Sequence, residues 1–290
     1  MEHVETKSVR SQKAEPGEVL KSLVNVHYAK ANSWRTALLA LQTALYAAGV
    51  VAVFAPALTT SYPPVAVILA LSTTWIGIQA SKFKSTADSL KRQYEYWQGF
   101  GKELPKGMLA DLRVAVSGRI DEYEDRLLQK GLSFSSSKPL GPTRVLENLC
   151  ESAWFTKHLA GWCGRWLGVV FVLAAVLSVA LLLISINSLT GLSSRVAAAQ
   201  CVSVTLTSLL SLGILHSWLA FRDYSQKAGD IENEAQRLLK SGTTDVFDVQ
   251  RALSEYQLVR AGSPTIPTLV WKMQRDRLND NWNDLKKPTN

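Results

Sequence analysis

The chain has 290 residues, a formal net charge of +8 and a near-neutral mean hydropathy of +0.04. Its 32 basic and 24 acidic residues are grouped, with none between Thr36 and Ser81, Trp166 and Ser194, or Val196 and Phe221. That grouping excludes a charge-studded surface along those stretches and argues against the two soluble domains that length alone would allow.

Residues 1–35 form an N-terminal segment with six basic residues. It is not expected to be a signal peptide, because the apolar run begins late, is too long and leads straight into a second one. A membrane crossing takes about 20 mostly apolar residues. The first charge-free stretch therefore predicts two crossings, near residues 36–56 and 65–82, separated by the breakers of "APALTTSYPP". Buried helices of a soluble protein are the competing reading, but they rarely run this long without a charge.

Residues 83–165 follow as a polar helical segment. It opens with a stalk whose apolar positions Phe83, Ala87, Leu90, Tyr94 and Trp97 are spaced 4, 3, 4 and 3. That spacing puts them on one helix face. "GKELPKG" breaks the stalk, a helix is predicted from about Lys106 to Lys130, and "GLSFSSSKPLGP" reads as a loop. A helix near 143–160 then runs towards a third crossing at 166–187. "NSLTGLSSR" separates it from a fourth, at 196–219.

A second stalk begins at residue 220. Phe221, Tyr224, Ala228, Ile231, Ala235 and Leu238 are spaced 3, 4, 3, 4 and 3, so each half repeats one plan of hairpin and stalk. The two stalks can pack on each other or transmit motion to the membrane. After the break "KSGTT", Asp245 is placed to cap a helix with Asp248 in its first turn. Val249, Leu253 and Tyr256 form that helix's stripe. Gly262 ends it, Pro264 and Pro267 stiffen a connector, and a last helix starts near Thr268. Trp271, Leu278, Trp282 and Leu285 share one side, so the tail reads as a cap on the cytoplasmic helices.

Basic residues near the ends of spans favour the cytoplasmic face. Fourteen lie in residues 82–165, eleven in 222–290, and only Arg195 lies in a short interhelical turn. Both termini and the middle segment are thus expected inside. The fold expected is all-α and polytopic: two transmembrane hairpins, four spans, and an α-helical cytoplasmic domain ending in the 220–290 stalk and cap.

No catalytic set stands out. Glu147, Glu151, His158 and Cys163 do not have metal-ligand spacing, and neither a GxGxxG nor a GxxxxGK loop occurs. No enzyme activity, metal or cofactor is expected. The excess of positive charge reads as topology and attraction to membrane lipids; without a basic, aromatic-interleaved patch, direct nucleic-acid binding is not expected. No full charge lies inside a span, which argues against a proton relay. Gln200, Ser203, Thr207 and Ser211 fall on one face of the fourth span. They are either interhelical glue or the lining of a hydrated path in a homo-oligomer. Gly164 and Gly168 form a small-xxx-small pair at the third span.

Three stretches carry a resemblance: "VNVHYAKANSW" before the first span, "LENLCESAW" before the third, and the tail "FDVQRALSEYQLVRAGSPTIPTLVWKMQR". In their order the chain resembles the SMODS-associated four-transmembrane effectors of bacterial anti-phage defence. The family's terminal pattern falls on Gln250, Leu253, Arg260, Pro264, Ile266, Pro267 and Trp271. At Trp271 this chain departs from it, since a tyrosine is expected one or two residues later. The resemblance implies an inner-membrane effector, silent until a cyclic oligonucleotide or partner protein engages its cytoplasmic part, which then opens or disrupts the membrane. Arg260, Gln250 and Trp271 become candidate ligand-binding or regulatory residues, although Arg260 can equally pair with a nearby carboxylate. The stalk seam (Phe83, Leu90, Tyr94, Trp97, Tyr224, Ile231 and Leu238) becomes the candidate transmission route. A non-conducting scaffold or sensor that recruits a partner is the alternative.

Overall fold

The computed structural model describes residues 16–54, 62–101, 136–188, 213–242 and 245–286, with isolated positions at 107, 191, 196, 199–200 and 202–203. Regular structure among these residues is entirely helical: α1 (Pro16–Phe54), α2 (Tyr62–Phe100), α3 (Pro142–Ser188), α4 (Ile214–Ser241), α5 (Val246–Gly262) and α6 (Thr268–Lys286). Proline marks four of the starts, at Pro16, Pro63, Pro142 and Pro267, where a missing N–H costs nothing.

No internal proline interrupts α1, α2 or α3. Each therefore runs on as one helix, of 39, 39 and 47 residues, α1 and α3 from a charged segment into an apolar one and α2 the reverse. At 1.5 Å per residue they are roughly 60–70 Å long. Among the described residues, one helix is long and apolar enough to cross a membrane, over Pro142–Ala180 with a hydropathy of 2.0. Its apolar side chains point outward: Leu173, Val176 and Leu177 are more than half exposed, as are Leu71, Trp75 and Ile78 of α2. The helix predicted at 106–130 apart from residue 107, half of the predicted 196–219 span and most of "APALTTSYPP" lie outside the described residues. Gly213 sits at φ 63°, a conformation no helix interior accepts, and α4 starts at Ile214.

The chain divides into two compact units. The first comprises Met1–Ala31, Lys82–Phe155 and Lys227–Gly262; the second comprises Asn32–Ser81, Thr156–Gln226 and Ser263–Asn290. Within the first unit, the stalk of α2 packs on α1. Leu90 and Tyr94 meet Leu20, Leu23 and Val24, flanked by half-buried Tyr28 and Trp97. α2 ends where Gly101, at φ 68°, donates its N–H to the carbonyl of Trp97 at 2.9 Å. α4 contributes Ala228, Ile231, Ala235 and Leu238, all buried, and its Glu232 carbonyl faces the Cys150 thiol of α3. Each seam residue of leucine or isoleucine size contributes about 1.5–3 kcal/mol by leaving water. The sequence left open that the stalks pack on each other. Among the described residues, the α2 stalk meets the first half of α1 and the α4 stalk meets the first half of α3.

α5 begins as its sequence predicts. The Asp245 side chain accepts from the Phe247 N–H at 3.1 Å, and the Asp245 carbonyl accepts from Val249 at 3.1 Å. Val249, Leu253 and Tyr256 are buried. Replacing Asp245 by alanine is expected to cost about 1 kcal/mol, seen as faster amide exchange at Phe247 to Val249 with little change in α6.

In the second unit, α1 and α2 again run antiparallel. Trp34 meets Trp75 edge-on at 5.3 Å, and Gly77 lies beneath Leu38. The helical cap expected at the C-terminus falls in the second unit, which takes in Ser263–Asn290, whereas the stalk residues from Lys227 and all of α5 fall in the first. Asn32 donates to the Thr268 hydroxyl at 2.9 Å, and Arg35 donates to the Thr265 carbonyl at 2.8 Å. These polar groups at the root of the first apolar segment pull the proline connector onto α1. The buried positions of α6 are Val270, Gln274 and Leu278; Trp271 and Trp282 are half-buried, and Leu285 is exposed instead of sharing their face.

Candidate functional site

The stalk of α2 carries a second stripe beside its apolar one. Lys84, Asp88, Lys91 and Glu95 are spaced 4, 3 and 4, one residue on from Phe83, Ala87, Leu90 and Tyr94. The same periodicity puts these four charges on one helix face, next to the seam and so partly withdrawn from water. Buried charges persist only when paired, and α1 and α5 supply the partners.

Asp88 has a side chain only 5% exposed. It accepts from the Tyr28 hydroxyl at 2.5 Å and from Lys84 at 2.8 Å, and Arg260 Nε lies 3.6 Å away, an ion-pair rather than hydrogen-bond distance. Two turns further along, Glu95 receives both terminal nitrogens of Arg260, at 2.5 and 3.1 Å, and the Gln257 amide at 3.1 Å. This fork-on-fork geometry is the strongest form of arginine–carboxylate contact. Lys84 also donates to the carbonyls of Arg260 and Ala261 at 3.2 and 2.7 Å, closing the C-terminal end of α5. The Tyr256 ring lies 5.4 Å from the Arg260 guanidinium, and its hydroxyl donates to the Ser152 carbonyl of α3 at 3.1 Å. One cluster thus ties α1, α2, α3 and α5 of the first unit together.

The electrostatics follow from the pairing. Burial alone would raise the Glu95 carboxyl, but Arg260 and Lys91 override it and hold it below the usual carboxylate range. Burial opposes the charge on Arg260, yet Glu95 keeps it protonated well above its ordinary range. Burial, assisted by Asp88, raises the Tyr28 hydroxyl and keeps it a donor. Because the folded Glu95 value is depressed, its stabilising contribution is complete above the unfolded value of about 4.3. It is lost as pH falls through the folded value. Urea unfolding from pH 7 to 3 is expected to show this acid loss, and Glu95→Gln should flatten that part of the profile.

The predicted residues fall as follows. Arg260 is the hub of the cluster, engaged by carboxylates rather than open to an anionic ligand. Gln250 is exposed on α5, and Trp271 is half-buried on α6, in the second unit. Leu90, Tyr94, Tyr224, Ile231 and Leu238 of the seam are buried, with Phe83 and Trp97 half-buried. Gln200 and Ser203 are exposed; Thr207 and Ser211 lie outside the described residues. Sequence reasoning missed Tyr28, Lys84, Asp88, Glu95 and Gln257, although the alternating charge stripe was there to find. It also missed Arg35, which bonds the connector and stands 5.8 Å from the Phe221 ring.

The predicted glycine pair marks a second close approach, between α3 and α4. A Cβ on Gly168 would lie 2.8 Å from Trp218 Nε1, one on Gly161 would lie 3.0 Å from Ser225 Oγ, and one on Gly164 would keep an ordinary 3.5 Å to the Arg222 nitrogen. Ser225 also donates to the Lys157 carbonyl at 2.8 Å. Compared with known proteins, the chain matches no family model, no curated protein and no solved structure.

Proposed function

We propose that this chain is a bacterial inner-membrane effector with four transmembrane helices and both termini in the cytoplasm. In this reading it forms a homo-oligomer that stays closed until a cytoplasmic signal, a cyclic oligonucleotide or a partner protein, permeabilises the membrane in anti-phage defence. The charge-free stretches and the outward apolar faces of α2 and α3 support the membrane part. One observation carries the gating part. The Arg260 cluster grips the charged ends of α1 and α2, and both helices continue without a break into apolar segments. A signal that loosens Arg260 from Glu95 and Asp88 would act on helices that continue into those apolar segments.

The test is dye release from liposomes holding the full chain. The wild type should be tight at rest, and Arg260→Ala should leak without a trigger. An assembled Arg260→Ala protein that keeps the dye inside overturns the gating reading. A second reading, a non-conducting scaffold or sensor, is favoured by exposed apolar residues on α6, where Leu269 and Met273 are 67% and 59% exposed at i, i+4 spacing. Its signature is a stable heterologous partner in detergent pull-downs, lost on Leu269→Asp with Met273→Asp.

A further inference from the structure

We infer that the cleft between α3 and α4 beside Arg165 and Arg222 binds the phosphodiester headgroup of an anionic phospholipid. The glycine contacts bring the two helices together at Gly164 and Gly168. On the side where charged residues begin, a cleft of about 490 Å³ opens, lined by Arg165, Trp218, Arg222, Ser225 and Gln226. That volume suits a small polar ligand.

Both arginines are exposed, and among the described residues neither has an acidic partner. They differ in this from Arg260, Arg237, Arg251 and Arg275, each beside a carboxylate. Two guanidinium forks at one opening match the oxygens of a phosphate. Position selects the source of that phosphate. Immediately beyond Arg165 come Trp166, Val169 and Val170, 54%, 48% and 47% exposed, and immediately before Arg222 the exposed surface is again apolar at Leu219, at 50%. The cleft therefore sits where an apolar surface gives way to a polar one, the level of lipid phosphates, with Trp218 and Trp166 as interfacial aromatics. Acyl chains attached to a headgroup held there would continue along the apolar face of α3, which no soluble phosphate would use.

The inference rests on α3 crossing the membrane, and that premise is tested separately: a chain released from membranes by alkaline carbonate without detergent fails it before any lipid is measured. The lipid test uses the full chain in non-ionic detergent, titrated with phosphatidylglycerol or phosphatidylcholine and followed by native mass spectrometry. Phosphatidylglycerol should bind in preference, and Arg165→Gln with Arg222→Gln should weaken it roughly thirtyfold, as expected for two basic groups near a lipid phosphate. Arg165→Lys with Arg222→Lys should recover most of the binding, which separates lost charge from lost folding. Equal retention of the two lipids, or an unchanged glutamine double variant, overturns the inference. So does displacement of phosphatidylglycerol by millimolar inorganic pyrophosphate, which would assign the cleft to a soluble phosphate.

Discussion

Arg260→Ala is expected to destabilise the first unit by about 3–5 kcal/mol, the range for removing one partner of a buried ion pair. The effect is large because the guanidinium serves two carboxylates. Its side chain is 11% exposed, and those of Glu95 and Asp88 are 13% and 5% exposed. Without it Glu95 keeps only the Gln257 amide and the nearby charge of Lys91, while Asp88 keeps Tyr28 and Lys84. The measurement is denaturant unfolding of the full chain in detergent, together with the Glu95→Ala single and double variants. The double variant should recover part of the loss, because an alanine pair leaves one buried charge fewer. A single-variant loss below about 1 kcal/mol would place the cluster among solvated surface pairs and remove the basis for a gating role.

The second large effect is expected at Gly168. An alanine methyl there would overlap the indole of Trp218, whose Nε1 and Cε2 stand 2.8 and 2.9 Å from it. The ring cannot turn aside freely, because Phe171 lies against it at 5.9 Å. Overpacking of this kind costs about 1–3 kcal/mol, against roughly 1 kcal/mol gained by replacing glycine in a helix interior. Gly168→Ala should therefore be destabilising on balance. Gly164→Ala, which meets nothing closer than 3.5 Å, should be neutral or stabilising. Thermal unfolding in detergent gives the order, and a change in Trp218 fluorescence confined to the Gly168 variant ties it to the contact. Equal effects at the two positions would mean that α3 and α4 do not approach here as described.

Local features were legible in the sequence because their cause is local. The 3, 4, 3, 4, 3 spacing from Phe221 to Leu238 comes from helical geometry, and all six residues are buried. Asp245 caps because its side chain reaches an N–H two residues on. The cluster was harder to read because Glu95 and Arg260 are 165 positions apart, and periodicity states that a face is covered but not by what. The α6 stripe shows the same limit. Its spacing was visible, but the bonds from Arg35 and Asn32 to Thr265 and Thr268 join positions 230 and 236 residues apart, which spacing does not report. Leu285 keeps the helical spacing beyond the surface that the helix packs on, and so stays exposed. Three long helices read as separate stalks and spans because composition changes along them, whereas continuity depends only on the absence of a breaker.

The charge stripe on α2 works as a detent. Along it the signs alternate, Lys84, Asp88, Lys91, Glu95, with a repeat of about two helical turns, near 10.5 Å. Arg260 spans the two negative positions. Sliding α2 past α5 by one turn, about 5.4 Å, would set the guanidinium against the lysine ammonium groups instead, and like charges at close range in a poorly solvated seam repel strongly. Small axial slips are thus penalised at once, and a slip of two turns would leave the guanidinium with one carboxylate, since Ser81 and Lys102 stand seven residues beyond Asp88 and Glu95. Rotation about the helix axis or outright separation would disengage the pair without passing through that repulsion.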